Sequence, residues 1–512
     1  PQFLDYTLTL MRVDRLSLLF GYVFLIAAIL NVICAMHSSD TVQHVAALVY
    51  AGAALGAVFA GDMLTLFVFW ELSAVASVLL IWARRTGRAF RAGLRYLIVQ
   101  LLSGMLLLTG TVVVANQTGS IGFEHFALDQ PGSILILLGI GVKCAFPLLH
   151  NWLQDAYPEA TEIGTVVLSA FTTKLGIYAL ARGFAGTQAL IYVGTAMTAF
   201  PIFYAVIEND LRRVLAYSVN NQLGFMVVGI GIGTELAING AVAHAFADIL
   251  FKALLFMSMG AVLLRARTVN GTDLGGLYKS MPWTTGFCIV GAASISAFPL
   301  FSGFVTKSMI MTATLGEGHV WVWLVLLFAS AGVFHHAGIK VPFFAFFGHD
   351  SGIRCKEAPA NMLVAMAVAA VFCIGIGSFP AALYSILPFP VDYAPYTASH
   401  VLSQMQLLVF SALAFSVLMR TGIYPPELHS VNLDFDWLYR RFGARLSYAV
   451  VNGSSMIAAD AARGIGRFLT GACMRVYRHH GPDGVLARTW PTGSMVLWVA
   501  ILLASYLLLY YL

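Results

Sequence analysis

Apolar stretches, each roughly 20 residues long, follow one another along almost the whole chain. This is the length that an α-helix needs to cross a bilayer, whereas barrel strands would alternate apolar and polar residues over about 10 positions. Only 10% of the 512 residues are charged, and a water-soluble fold so poor in charge would expose large apolar patches. We therefore expect an all-α, polytopic transmembrane helical bundle.

The stretches predict about fourteen spans. They lie at 14–36, 42–61, 62–83, 92–116, 132–153, 164–182, 187–207, 212–233, 236–264, 284–313, 320–347, 361–386, 400–420 and 492–512. The apolar run that begins near residue 14 is too long for the core of a cleaved signal peptide. We divide the chain into a core at 14–386, an additional span at 400–420, a mixed segment at 424–490 and a final span at 492–512.

Basic residues are distributed unevenly between the two sets of loops. When the spans are taken to alternate in direction, one side of the membrane receives most of the arginines in loops. These are Arg84, Arg85, Arg88, Arg91, Arg212, Arg213, Arg265, Arg267, Arg354 and Arg420. The opposite loops at 117–131, 234–236, 314–319 and 387–399 contain no Lys or Arg. The positive-inside rule assigns the arginine-rich side to the cytoplasm. We interpret the net charge of +5 as a topology signal rather than as a nucleic-acid-binding surface.

The segment 424–490 mixes charged residues with large apolar ones, such as Arg440, Arg441, Trp437 and Phe442. This composition is typical of amphipathic helices that lie on the cytoplasmic membrane interface. A disordered linker to the last span is the alternative.

Several ionisable residues fall inside predicted spans, where a charge costs about 2.5–3.5 kcal/mol on insertion scales. The main candidates for a proton pathway are Glu71, Lys143, Lys174, His244, Asp248, Lys252 and Lys307, and further candidates are His335, His336 and Lys340. Burial favours the neutral form of a lysine and a nearby anion favours the charged form, so a lysine under both influences can exchange a proton.

Simpler explanations remain open at some of these positions. Lys340 and Lys174 could extend their ammonium groups to the interface, which is a poor explanation for Lys143 in the middle of its span. Glu71 could act only as an ion-pair partner.

His244, Asp248 and Lys252 recur at every fourth position and therefore share one helix face. They could carry a proton along the membrane interior, or Asp248 and Lys252 could form a purely structural ion pair. Zinc is not expected, because it needs convergent ligands and a lysine ammonium is not one.

Two predicted spans contain proline beside a buried lysine. Pro147 follows Lys143 by four residues, and Pro299 precedes Lys307. Proline opens the helical hydrogen-bond ladder, and unwound backbone at membrane depth is tolerated where it lines a polar cavity. Broken helices in two corresponding places are typical of ion sites in inverted-repeat transporters.

Six segments in order carry a resemblance that covers about residues 14–385. They are GDMLTLFVFWELSAVASVLLIW, GVKCAFPLLHNWLQDAYPEA, LSAFTTKLGIYALAR, ENDLRRVLAYSVNNQLGFM, FKALLFMSMGAV and FPLFSGFVTKSMI. Together they resemble the proton-conducting antiporter-like membrane subunits. That family includes subunits of Mrp-type Na+/H+ antiporters, the L, M and N subunits of respiratory complex I, and subunits of membrane-bound hydrogenases. The segment GVFHHAGIKVPFFAFFGHDSGIRCKEAPANM is similar to the D subunit of the Mrp antiporters.

The resemblance implies the roles of single residues. Glu71 matches the family's glutamate, which pairs with a lysine at the position of Lys143, and Lys174 matches a connecting lysine. His244 and Lys252 match a central relay, whereas Asp248 stands where a second histidine is common. Lys307 matches the terminal lysine. Protons would then enter from the cytoplasm, cross laterally, and leave to the outside or exchange against cations.

We therefore expect an ion-translocating subunit rather than an enzyme, without cofactor or metal, in the cytoplasmic membrane of a prokaryote. Its expected partners are other membrane subunits, protons, Na+ and the lipid bilayer. The family usually has two more spans before the first segment, so the resemblance implies a shortened chain or a partner that supplies them. The alternative function is the proton-pumping subunit of a complex I-like or hydrogenase-like redox complex. A membrane enzyme for lipid-linked substrates would need catalytic groups in long loops, and a solute carrier would need more varied polar groups at mid-membrane.

Overall fold

A computed structural model of the chain describes residues 2–3, 6–428, 432, 434–488 and 490–512. Residues 429–431, 433 and 489 of the predicted mixed segment 424–490 lie outside this description. The described residues form two compact units, and the boundary between them in the sequence falls between Asp434 and Phe435.

The first unit begins with a short antiparallel pair, β1 (Gln2–Phe3) and β2 (Tyr6–Thr7). Its helices follow as α1 (Arg15–Ala35), α2 (Thr41–Phe59), α3 (Met63–Trp82), α4 (Gly87–Thr118), α5 (Ser133–Lys143), α6 (Asn151–Ala156), α7 (Gly164–Gly183), α8 (Ala189–Ile207), α9 (Leu211–Ile232), α10 (Glu235–Ala266), α11 (Pro282–Ile295), α12 (Ser302–Gly316), α13 (Val320–Val333), α14 (Ala360–Ser378), α15 (Ala381–Tyr384) and α16 (Ala398–Thr421).

Acidic residues mark the start of several of these helices. Asp14, Asp40, Asp62 and Asp210 each accept a hydrogen bond from a backbone N–H in the first turn. Such caps satisfy N–H groups that have no partner within the helix. In a chain with so few charges, these carboxylates fix where the helices begin.

The polytopic bundle with broken helices is confirmed. Among the described residues, twelve helices are long and apolar enough to cross a membrane. Two further predicted spans are the interrupted pairs α5–α6 and α11–α12.

Both interruptions use the same tetrapeptide, Ala-Phe-Pro-Leu, in the same conformation. Ala145 and Leu148 have φ values of 57° and 72°, and Ala297 and Leu300 have φ values of 57° and 73°. This left-handed conformation is uncommon for residues with a side chain. Its recurrence at two equivalent places supports the inverted-repeat architecture.

Two other spans differ from regular α-helices. The span after α12 runs over Val320–Phe347, but it continues beyond α13 as π-helical turns at Phe334–Lys340 and Phe343–Phe347. The predicted span 361–386 is interrupted at Ser378, where α14 ends. Pro380 explains this end, because proline disfavours helical backbone in the preceding residue.

The centre of the first unit is formed by three helices. The most apolar windows of α7, α9 and α10 are 100%, 94% and 89% buried, respectively, whereas that of α16 is 11% buried. Helix α7 carries Lys174, and α10 carries His244, Asp248 and Lys252. Four of the candidate residues are therefore placed in the protein interior rather than facing lipid.

The second unit contains α17 (Ala444–His480) and α18 (Thr492–Tyr511). Helix α17 has 37 residues and includes both basic and large apolar side chains, as an interfacial helix requires. Its position on the membrane surface remains a prediction. Helix α18 is long and apolar enough to span a bilayer.

Candidate functional site

Lys143 is the last residue of α5 and lies at the first helix interruption, with its side chain completely buried. Its Nζ donates hydrogen bonds to the carbonyl oxygen of Trp70, at 3.2 Å, and to Oγ of Ser73, at 2.8 Å. The same atom lies 4.2 Å from the centroid of the Trp70 ring. Neutral acceptors and an aromatic ring therefore surround this ammonium.

Glu71 lies beside these acceptors on α3, but it does not contact Lys143 directly. The Glu71–Lys143 pair shows no nitrogen–oxygen distance within 4.0 Å, although the two charges are close enough to interact. Glu71 Oε1 is buried without a hydrogen-bond partner. It occupies the space left by Gly104, where an added Cβ would lie 1.4 Å from it. Glu71 and Lys143 are therefore neighbours that interact electrostatically without forming a direct ion pair.

Lys174 does not extend to the interface, because its side chain is completely buried. Its Nζ lies 2.6 Å from Oδ2 of Asp248, which is also completely buried, and donates to the Ser169 carbonyl oxygen at 3.1 Å. The ion pair therefore joins α7 to α10. The local alternative, an Asp248–Lys252 pair within α10, is not formed at ion-pair distance.

His244 and Lys252 lie on the same buried face of α10 as Asp248. His244 shares hydrogen bonds of 3.0 Å with Thr306 Oγ1 and with Gln222 Oε1. Lys252 Nζ donates to the Leu215 carbonyl oxygen at 3.4 Å. His244 is close enough to interact electrostatically with Lys174, Lys252 and Lys307, so it lies at the centre of this group.

Lys307 lies on α12, after the second helix interruption. Its Nζ donates to the carbonyl oxygen of Ile295, at 3.2 Å, and lies 4.9 Å from the centroid of the Phe225 ring. Ile295 ends α11, as Lys143 ends α5. The ammonium of Lys307 thus reaches back to the second interruption at the place that Lys143 occupies in the first. Lys307 also lines a cavity of about 540 Å³ together with His400 and Gln404.

The further candidates lie in the π-helical turn after α13. His335 stacks on Tyr424, and His336 is completely buried. Lys340 is completely buried as well. Its Nζ lies 2.9 Å from Oε1 of Glu427.

The structure therefore brings the candidates together in two main groups. Glu71 and Lys143 form one, and Lys174, Asp248, His244, Lys252 and Lys307 form the other. Helix α7 connects them: a Cβ on Gly176, one half-turn after Lys174, would lie 3.1 Å from the backbone nitrogen of Cys144, the residue after Lys143. A spatial series of amines, an imidazole and carboxylates can accept and release protons one after another. Among the described residues, no group of three His, Cys, Asp or Glu side chains could hold a metal ion.

Sequence reasoning missed several residues of the site. Ser73, Gln222 and Thr306 supply its hydrogen bonds, and Gln222 could have been found as part of a polar Asn-Asn-Gln run within a span. Glu427 lies in a loop, where a carboxylate is ordinary, so no sequence signal marked it.

Comparisons with known proteins identify the family of the chain. The family model described as "NADH:quinone oxidoreductase/Mrp antiporter, TM" matches residues 60–334, more than half of the chain. The D subunit of a Na(+)/H(+) antiporter from Alkalihalophilus pseudofirmus is 30% identical over 330 residues, which are 60% of this chain and 66% of that protein. The chain spans between 48% and 66% of the length of the first curated relatives that it matches.

Two solved structures share the fold. A chain of the Mrp complex from Dietzia sp. DQ12-45-1b has a TM-score of 0.69 at 20% identity, with 79% of this chain and 86% of that chain covered. A chain of the membrane-bound sulfane sulfur reductase, an archaeal respiratory membrane complex, has a TM-score of 0.69 at 21% identity, with 97% and 89% covered. With the buried lysines, the two broken helices and the match over residues 60–334, this chain belongs to the family of transmembrane subunits found in NADH:quinone oxidoreductases and Mrp antiporters.

Proposed function

We propose that this chain is an ion-translocating subunit of a multi-subunit Mrp-type Na+/H+ antiporter, in which buried side chains pass protons through the membrane interior. Its similarity to the D subunit of such an antiporter over 330 residues supports this assignment.

The burial of four lysines, three of which have no carboxylate oxygen within 4.0 Å, carries the proposal. Lys143, Lys174, Lys252 and Lys307 are each at most 3% exposed. Among the described residues, Lys174 alone of these four has a carboxylate oxygen within 4.0 Å. A buried ammonium without an anion has a high free energy, which releasing the proton relieves. Such lysines are poor structural elements but suitable proton carriers.

The route follows the two groups of side chains. A proton held near Glu71 and Lys143 passes along α7 to Lys174 and Asp248. Lys252 and His244 carry it across α10, and Thr306, which bonds to His244, precedes Lys307 directly in the sequence. The cavity at Lys307 provides an exit from this end.

Replacing Lys143 tests this function. We expect Lys143→Ala to abolish Na+-driven proton transport by vesicles that contain the complex, while expression stays near normal, because the first carrier is lost. Lys279→Ala is the matched control, since that lysine is 46% exposed and bonds to Asp350 in a loop. Transport by Lys143→Ala at the wild-type rate would contradict the proposed role.

The second candidate is the proton-pumping subunit of a redox-driven complex. One observation favours it: the sulfane sulfur reductase chain covers 97% of this chain, against 79% for the Mrp chain. Mild-detergent purification followed by mass spectrometry separates the two functions. Other membrane subunits without redox proteins would support the antiporter, and iron–sulfur or flavin subunits would support the redox complex.

The partners and the location follow from the same proposal. Other membrane subunits, lipid, protons and Na+ are the expected partners, and the prokaryotic cytoplasmic membrane is the expected location. The arginine-rich loops would then face the cytoplasm.

A further inference from the structure

The ion pair of Lys340 and Glu427 lies outside the two groups of the proposed route. Lys340 Nζ donates to the carbonyl oxygens of Ala205, Val206 and Glu208, at 3.2, 2.7 and 2.6 Å. These acceptors lie at the carboxyl end of α8, where the helix dipole favours a cation. With Glu427 Oε1 at 2.9 Å, four oxygen acceptors surround the Lys340 nitrogen.

Glu427 connects this lysine with the protein surface. Its side chain is 7% exposed, and it lines a cavity of about 310 Å³ together with Thr272, His349 and Tyr424. These residues lie in loops on the arginine-rich side. Burial raises the pKa of the Glu427 carboxyl above its ordinary value, although Lys340 acts in the opposite direction. The carboxyl can therefore take up a proton at pH values where an exposed glutamate stays ionised.

His336 connects Lys340 with the interior. It precedes Lys340 by four residues within the same π-helical segment. It is close enough to interact electrostatically with both Lys340 and Lys252. It lies in a π-helical turn, a distortion that is frequent at functional sites.

We infer that Glu427, Lys340 and His336 form an entry branch that takes protons from the arginine-rich side and delivers them to Lys252. This inference rests on the proposed function, because Lys252 must itself be a carrier. The Lys340 ammonium releases a proton to a ring nitrogen of His336, and His336 passes a proton to the neutral amine of Lys252. The Glu427 carboxylate then takes up a proton from the cavity and passes it to the neutral Lys340 amine, which restores the ion pair.

A static role for the pair is the competing explanation, in which Lys340 and Glu427 only fix the segment after α16 to the core. Arginine distinguishes the two roles. It keeps the cation and its hydrogen bonds, but it does not release a proton in proteins. A static pair tolerates Lys340→Arg, whereas an entry branch does not.

The experiment measures Na+-driven proton transport by vesicles that contain the whole complex. We expect Lys340→Arg and Glu427→Gln to lower the initial rate at least ~10-fold, since a positioned proton donor contributes about 10²–10⁴-fold. Asp40→Asn is the matched control, because asparagine also caps α2 and only the ion pair with the exposed Arg85 is lost. The yield and the thermal stability of each complex are measured in parallel.

The outcomes separate this inference from the proposed function. Wild-type rates in Lys340→Arg or Glu427→Gln, with transport lost in Lys143→Ala, overturn the entry branch alone. Wild-type transport in Lys143→Ala overturns the proposed function as well. If the Lys340→Arg complex does not assemble, Glu427→Gln decides the matter, because its side chain keeps the size of the original.

Discussion

Stability measurements can test whether Asp248 forms its ion pair with Lys174 rather than with Lys252. Its carboxylate lies 2.6 Å from Lys174 Nζ, and both side chains are completely buried. Removing one member of such a pair leaves an uncompensated charge and costs about 3–5 kcal/mol, whereas replacing both by apolar residues is often nearly neutral. We therefore expect Asp248→Leu to be strongly destabilising, and Lys174→Met in the same chain to recover most of the loss.

Lys252 provides the comparison within the same helix face. Its Nζ donates to the Leu215 carbonyl oxygen rather than to Asp248. The coupling free energy between Asp248→Leu and Lys252→Met should therefore be less than half of that between Asp248→Leu and Lys174→Met. Sequence spacing alone predicts the reverse order, because Asp248 and Lys252 are one turn apart.

The assay is equilibrium unfolding of the purified chain in mixed micelles, with the helical signal followed as SDS is added. Two double-mutant cycles give the two coupling free energies. Lys279→Met serves as a control for the loss of a lysine in an exposed loop. A larger coupling for Lys252 than for Lys174 would refute the ion pair between α7 and α10.

Two further predictions concern backbone positions. An added Cβ at Gly104 would lie 1.4 Å from Glu71 Oε1, so Gly104→Ala displaces the carboxylate by about 2 Å. Because a misplacement of about 1 Å can cost ~100-fold, we expect at least ~10-fold slower transport. Gly52→Ala, where the added carbon meets nothing within 4 Å, should keep the wild-type rate, and unchanged transport in Gly104→Ala would remove Glu71 from the route. Arg267 is exposed and has a φ of 64° after α10, so Arg267→Gly should raise the free energy of unfolding by ~0.5–1 kcal/mol. Arg265→Gly in the last helical turn should lower it by at least as much, because it also removes the hydrogen bond from Arg265 Nε to the Glu357 carbonyl oxygen. A destabilised Arg267→Gly variant in the same SDS titration would contradict this.

The spans and their interruptions could be predicted from sequence because they depend on local properties. Apolar runs long enough to cross a bilayer identify the helices, and Pro147 and Pro299 identify the two breaks. Charged residues inside these runs, such as Lys143 and Lys252, were noticeable because lipid makes them costly.

The contacts between helices could not be predicted in the same way. Asp248 selects Lys174 on another helix, although Lys252 is nearer in sequence. The position of the Glu71 carboxylate requires that Gly104 has no side chain. The ion-pair partner of Lys340 is Glu427, which lies more than 80 residues away in the sequence. Such contacts follow from the packing of the whole bundle, which neither spacing nor composition specifies.

Proton transport by the Lys143→Arg complex tests most directly whether the buried lysines carry protons or only supply charge. Arginine keeps a cation near Trp70 and Ser73 but does not release a proton. If Lys143 is a carrier, Na+-driven acidification or alkalinisation of the vesicles is lost with Lys143→Arg as it is with Lys143→Ala. Transport at the wild-type rate with Lys143→Arg would show that this lysine is a structural cation and would contradict the proposed route.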